Sequence, residues 1–304
     1  MSDSAFREGG LRATHRVRAN GLDHHVVEWA PAPGADVAGT AVLLHGYMDA
    51  AATWEKVARL LSNAGLRVVA PDMRGFGESA RAPEGSYYHF PDYVADLAGL
   101  IDSLGAPAPL LLVGHSMGGT IATLFTGAFP ERVTKLAVLE GLGPPDGNLA
   151  SLPGRIRNWV EQSRDARARP ERAMGSVEDA FRRLAANHPN VVPAELREKV
   201  LHLVRELGDG RVGWRADPLH KTSSPMPFFA EGYMACARQI TCPVLYVSGG
   251  PEGFHVEDEE ERLLAFKSLE RVLLSRAGHM MHWTDPDGLA EALVAFWKRP
   301  SADA

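Results

Sequence analysis

The feature that most constrains this chain is an alternation. Short apolar runs recur, each followed by a segment with helical spacing. Ala41-Val-Leu-Leu44, Leu66-Arg-Val-Val-Ala70, Leu110-Leu-Leu-Val113 and Val133–Leu139 are the runs. A strand apolar on both sides of its pleat has to be covered on both faces. Between the runs, Trp54, Val57, Leu60 and Leu61 share one helical face over Ala51 to Ala64, and Gly65 stops that helix. Phe90 to Leu104 repeats the pattern with Val94, Leu97 and Ile101, and Ile121 to Phe129 is helical again. Repeated strand–helix units imply the α/β class, a mostly parallel sheet with helices on both faces.

Two short alternating stretches, Thr14–Ala19 and His24–Trp29, precede this pattern, with the hairpin signal Asn20-Gly21 between them. Pro31-Ala-Pro-Gly34 breaks the chain there. From Pro144 to about Met234 the rhythm is lost. Arg-rich helical segments alternate with Pro and Gly, and no clear strand is visible. Asp and Glu are interleaved with those arginines, so the helices read as having a solvated face. The sheet pattern resumes at Val244-Leu-Tyr-Val-Ser248, a helix near Glu257–Leu269, the strand Arg271–Leu274 and a helix over Asp287–Trp297. The division expected is a core of 1–143 and 235–304 around a helical insertion of 144–234.

Composition narrows the function. Over 304 residues, 45% are hydrophobic and 23% charged, which is ordinary for a globular chain and unlike a disordered one. A net charge of −6 leaves no basic face to neutralise phosphates, so no nucleic-acid partner is expected. The two cysteines, Cys236 and Cys242, stand in apolar surroundings and read as buried thiols. The Met1–Gly10 stretch is polar and lacks the apolar segment of a secretion signal, and no apolar run is long enough to span a bilayer. The expectation is a cytoplasmic protein with no membrane partner. The oligomeric state cannot be read from the sequence.

Gly114-His115-Ser116-Met117-Gly118-Gly119 carries the chemistry. It joins an apolar strand to a helix and matches the nucleophile elbow, G-x-S-x-G. Ser116 must sit on a tight turn that lifts its hydroxyl clear of the backbone. Gly114 and Gly118 leave room where strand and helix approach. The helix N-terminus behind it favours developing negative charge. No Walker lysine follows, and a dinucleotide G-x-G-x-x-G is absent.

With this motif, the chain resembles the α/β-hydrolase fold family over about residues 12–298. Three more stretches carry the resemblance: His45-Gly46-Tyr47, Asp72-Met-Arg-Gly-Phe-Gly-Glu-Ser79 and Gly278-His279. The resemblance implies an eight-stranded, mostly parallel sheet with helices on both faces and a helical cap. It also implies the order Ser, acid, His, which makes His279 the general base, with His282 its nearest competitor. His115 is read as elbow packing.

Two glutamates compete for the acid. Most family members place it after the strand equivalent to Val244–Ser248, where Gly249-Gly-Pro-Glu-Gly-Phe254 offers only Glu252. The other location is the end of the strand before the insertion, where Glu140 stands; that arrangement resembles the haloalkane dehalogenase branch. Glu140 and Glu252 are both candidates, with Asp258 behind them. The oxyanion hole is expected from the backbone N–H groups of Met117 and Tyr47, while His45 either contacts substrate or holds its own loop.

A serine nucleophile points to acyl transfer. The expected reaction is cleavage of a small or medium carboxylic ester through an acyl-enzyme on Ser116, with His279 as base and no cofactor or metal. A carbon–carbon bond hydrolase, a thioesterase or an acyltransferase would use the same residues, and a non-catalytic ligand-binding member would keep the fold alone. The insertion is expected to form a lid. Trp159, Phe228 and Phe229 are its candidate substrate contacts, with Pro225–Phe229 as the segment closest to substrate.

Overall fold

Asn20 and Gly21 both take positive φ, 47° and 76°. They close a two-residue hairpin between β1 (Arg12–Ala19) and β2 (Leu22–Trp29). The computed structural model describes residues 12–32, 34, 36–106 and 109–300. The Met1–Gly10 stretch and Pro33 of the proline break lie outside the described residues. The chain continues through β3 (Gly39–Leu44), a 3-10 turn at Ala51–Trp54, α1 (Glu55–Asn63), β4 (Leu66–Pro71) and α2 (Phe90–Ser103). It then forms β5 (Leu110–His115), α3 (Met117–Ala128) and β6 (Lys135–Leu139).

The insertion follows, with α4 (Leu152–Ala168), α5 (Val177–Asn187), α6 (Pro193–Leu203), β7 (Val204–Gly208) and β8 (Arg211–Trp214). After α7 (Ala230–Ala237) come β9 (Val244–Ser248), α8 (Glu259–Leu264), β10 (Leu269–Leu273), α9 (Met281–Thr284) and α10 (Pro286–Lys298). Eight strands form one sheet in the order β1-β2-β4-β3-β5-β6-β9-β10. β1 and β2 run antiparallel to their neighbours, and the other pairings are parallel.

The alternation within the apolar strands sorts two cores. Val42, Leu44, Leu110, Leu112 and Val138 face α2, α3 and α7, where Leu97, Ile121, Phe125 and Tyr233 meet them. Ala41, Leu43, Leu111, Val113 and Leu139 face the opposite layer, against Trp54 and Leu61 of the α1 side and Leu289 and Phe296 of α10. Every residue of β3, β5 and β6 is buried. Each fully buried Val or Leu contributes about 1.5–3 kcal/mol, so the middle of the sheet is its most secure part. The site sits on the carboxyl ends of these strands, where open α/β sheets place their ligands.

The insertion departs from the expectation of helices alone. β7 and β8 form a two-stranded hairpin whose turn, Gly208-Asp209-Gly210, has three positive φ angles. The strands are short and half exposed, so their apolar positions make no run. The insertion has a small core of its own, including Leu184, Leu196, Val200 and Val212, and it packs on Ala50 and Trp283. Most of its arginines are exposed and several are paired with acids, as in Arg182–Asp179 and Arg197–Glu178. The chain is back on the main core by α7, whose first residue, Ala230, lies five residues before the expected start of the core at 235. Tyr233 and Met234 face α3 there, and Tyr233 donates to Thr123 Oγ1 at 3.1 Å. Gly127 lets α3 and α7 close up, since a Cβ there would lie 2.4 Å from the Cys236 carbonyl oxygen. Cys242 is buried, Cys236 is half-buried, and both are free. No described helix is long and apolar enough to cross a membrane.

Candidate active site

Ser116 follows β5 directly and caps α3, with φ 51° and ψ −119°. A non-glycine residue held there is strained, and such strain persists only where the surroundings impose it. The surroundings here are backbone. A Cβ on Gly114 would meet the Gly118 carbonyl oxygen at 2.3 Å, and one on Gly118 would meet the Leu44 carbonyl oxygen at 2.4 Å. Both glycines therefore have the role that the sequence reading assigned to them. Ser116 N–H donates to the Leu139 carbonyl at 2.9 Å, which ties the turn to the tip of β6.

Glu140 directly follows β6, also at positive φ (46°). Its carboxylate is buried and accepts three hydrogen bonds: Gly249 N–H at 2.5 Å, Phe254 N–H at 2.7 Å and His279 Nδ1–H at 2.8 Å. Burial alone raises a carboxyl pKa, but the bonds from His279, Phe254 and Gly249 outweigh it and hold Glu140 below its ordinary value. Gly253 makes this fit possible, since a Cβ there would lie 2.0 Å from Glu140 Oε1.

The loop carrying His279 is fixed by its backbone. Gly278 N–H donates to Gly249 O and His279 N–H to Glu252 O. The His279 carbonyl accepts from His115 Nε2–H at 2.7 Å. Burial drives the His115 pKa well down, so that ring is a neutral donor. With Nδ1–H committed to Glu140, Nε2 is the His279 atom left to act as a base. Among the described residues, no hydrogen bond joins Ser116 Oγ to that nitrogen. Such bonds often tighten only when substrate is bound.

Ser116, Glu140, Met117, Tyr47, Phe90 and Phe254 line one cavity of about 270 Å³. The backbone N–H groups of Met117 and Tyr47 have no partner among the described residues and are free to donate. A serine on a strained turn, a carboxylate–imidazole pair and two free amides can together perform nucleophilic attack and stabilise an oxyanion.

A sequence profile of the alpha/beta hydrolase fold family matches residues 41–286. The chain belongs to the alpha/beta hydrolase fold family. This hydrolase is 27% identical over 273 residues to a serine hydrolase-like protein of Danio rerio, covering 88% of this chain and 73% of that one. It is 33% identical over 201 residues to lipase LipV of Mycobacterium tuberculosis, covering 64% and 67%. It is 31% identical over 201 residues to epoxide hydrolase A of the same organism, covering 66% and 56%. A solved structure of a hypothetical protein from Pseudomonas aeruginosa PAO1 matches with a TM-score of 0.81 at 25% identity, covering 97% of this chain and all of that one.

Several residues of the hydrolase stand elsewhere than the sequence led us to expect. Glu252 is exposed, and its backbone carbonyl accepts from His279 N–H. Its carboxylate does not reach the ring because Glu140 already occupies Nδ1. Asp258 is turned away and pairs with the buried Arg262 at 2.8 Å. His282 is buried against Asp49 at 2.8 Å, so it does not compete as the base. His45 is buried with both ring nitrogens engaged, Nδ1–H to Gly46 O and Nε2 from Met73 N–H. It holds its own loop and has no atom free for substrate.

The aromatic residues expected from the insertion do not line the cavity beside Ser116. Trp159 packs edge-on against Tyr87, with ring centroids 5.7 Å apart. Phe228 backs the wall from behind, where a Cβ on Gly143 would lie 2.4 Å from its ring. Phe229 is exposed. The walls come instead from Phe90 at the start of α2 and from Phe254, neither of which the sequence reading singled out. It also missed the buried group Asp49, His115 and His282, whose ligand-type atoms lie within 4.8 Å of one another. No short spacing joins positions 49, 115 and 282, so nothing in the sequence announces that group.

Proposed function

We propose that this hydrolase cleaves small or medium carboxylic esters through an acyl-enzyme on Ser116. In this reading Ser116 Oγ attacks the ester carbonyl and its proton passes to His279 Nε2. Glu140 holds the ring in the Nδ1–H tautomer and stabilises the imidazolium that forms. The Met117 and Tyr47 amides donate to the oxyanion. His279 then protonates the departing alkoxide. A water molecule gives its proton to His279 and attacks the acyl carbon. Collapse of that adduct releases the acid and returns the proton to Ser116.

The observation that carries the proposal is the strained Ser116 opening onto a cavity lined also by Glu140, whose carboxylate is bonded to His279. Its chemistry argues against carrying over the epoxide hydrolase name. A serine that opened an epoxide would be left as an ether, which water does not cleave. The lipase and serine hydrolase-like relatives are the ones the nucleophile supports. The test is p-nitrophenyl butyrate hydrolysis together with fluorophosphonate labelling. Ser116→Ala is expected to lose at least about a thousandfold in rate and all labelling. Turnover that survives the substitution would refute the assignment.

A further inference from the structure

His115 stands between the turn of the nucleophile and the loop of the base. It ends β5, directly before Ser116, and is 1% exposed. Its Nε2–H donates to the His279 carbonyl at 2.7 Å. Among the described residues, that is the one hydrogen bond joining residue 279 to the turn Gly114–Gly119. The other two bonds of His279 tie its ring to Glu140, beyond the tip of β6, and its N–H to the Glu252 carbonyl. A ring held at Nδ1 can still swing about that bond. An anchor from the turn itself to the backbone of the same residue limits the swing.

The same ring abuts the loop expected to supply the second oxyanion donor. A Cβ on Gly46, the residue before Tyr47, would lie 2.7 Å from His115 Nδ1. His282 also packs against His115, with ring centroids 4.6 Å apart, and is bonded to Asp49 of that loop at 2.8 Å. The nucleophile turn, the base loop and the oxyanion loop thus meet on one buried imidazole. Burial keeps that imidazole neutral, so with the proton on Nε2 its Nδ1 is a bare acceptor, and it has no partner among the described residues. An orphaned buried nitrogen carries a cost that an apolar side chain of similar volume avoids. What explains a histidine here is the bond that its other nitrogen makes.

We propose that His115 is a positioning residue for hydrolysis, holding the His279 backbone at the separation from Ser116 that proton transfer requires. The proposal rests on the Ser116–His279 reading and adds to it a residue that touches neither substrate nor reacting atoms. Proton transfer needs its heavy atoms within about 3.2 Å, and a misplacement of about 1 Å costs about a hundredfold in rate.

Two substitutions in the full chain test it. His115→Leu keeps most of the volume and removes the donor, while His115→Gln returns an amide N–H near the Nε2 position. Each variant is assayed with p-nitrophenyl butyrate. Active sites are counted from the end-point of fluorophosphonate labelling, so that misfolded chain does not enter the rate. His115→Leu is expected to lose about ten- to a hundredfold in kcat per labelled site, with KM within about twofold of the parent, and to label more slowly by a similar factor. His115→Gln is expected to recover at least about a third of the parental kcat. A side chain that only packs would change the number of active sites and leave kcat per site alone. An unchanged kcat per site in His115→Leu, or equal losses in the two variants, would overturn the proposal. Where His115→Leu does not fold, His115→Asn, whose amide reaches only the Nδ1 position, takes its place in the same comparison with His115→Gln. A parent chain that is not labelled at Ser116 refutes the underlying reading, and the proposal with it, so the two failures are told apart.

Discussion

Replacing Glu140 by glutamine keeps the shape of the side chain and removes its charge. Glu140 Oε2 serves both Phe254 N–H and His279 Nδ1–H, while Oε1 serves Gly249 N–H. A glutamine has one acceptor oxygen, so its NH₂ must face at least one of those donors. The larger loss falls on the transition state, where His279 becomes an imidazolium. At a charge separation of about 4 Å and an effective dielectric of about 20, the missing attraction is about 4 kcal/mol. At 1.36 kcal/mol per decade, that is about a thousandfold in kcat/KM. The assay is p-nitrophenyl ester hydrolysis, with fluorophosphonate labelling rates as an independent readout of Ser116 reactivity. Glu252→Gln is the matched control. Its carboxylate is exposed and bonds nothing in the site, so its rate is expected to stay within about twofold of the parent. A Glu140→Gln enzyme retaining more than about a tenth of parental activity, or a larger loss in Glu252→Gln, refutes the reasoning.

Three further outcomes follow from the same contacts. Glu140, Asp49 and Asp72 are buried, and their hydrogen-bond partners hold all three below their ordinary pKa values. Their contribution to stability is complete above about pH 5 and is lost as pH falls through the depressed values, so urea midpoints are expected to drop between about pH 5 and 3, with a shallower slope in Glu140→Gln. Gly118→Ala places a Cβ 2.4 Å from the Leu44 carbonyl oxygen, backbone against backbone; about 2–3 kcal/mol of lost stability is expected in urea unfolding, and an unchanged midpoint would contradict the close approach. Arg262 is fully buried and donates to the Leu142 and Pro144 carbonyls as well as pairing with Asp258. Arg262→Met is expected to lose about 2–3 kcal/mol and to raise KM, because those carbonyls belong to the segment that walls the Ser116 cavity; an unchanged KM would separate the two roles.

Much of the architecture was legible because each signal is local. Ala41–Leu44 and Leu110–Val113 are apolar at every position, and only a strand covered on both faces has that requirement. Asn20-Gly21 announces its turn because both residues tolerate positive φ. The hairpin of β7 and β8 escaped notice for the converse reason. It is short and half exposed, and its turn glycines read as simple breaks in a helical stretch. The two candidate acids could not be ranked from sequence, since each is a glutamate near the end of an apolar strand. The choice lies in the path of residues 249–254, whose backbone amides wrap the Glu140 carboxylate and leave Glu252 pointing outward.

The chain's own order of residues was enough to determine a parallel sheet, a serine on a sharp turn at its centre and a histidine in the loop after its last strand. Each of these depends on neighbours a few positions away, whose sterics and burial are written in the local pattern. Only the tertiary structure decided that Glu140 meets His279 and that Phe90 and Phe254 rather than Phe228 wall the cavity. Those relations join residues from separate elements, and side-chain periodicity describes the faces of one element without stating what will pack against them.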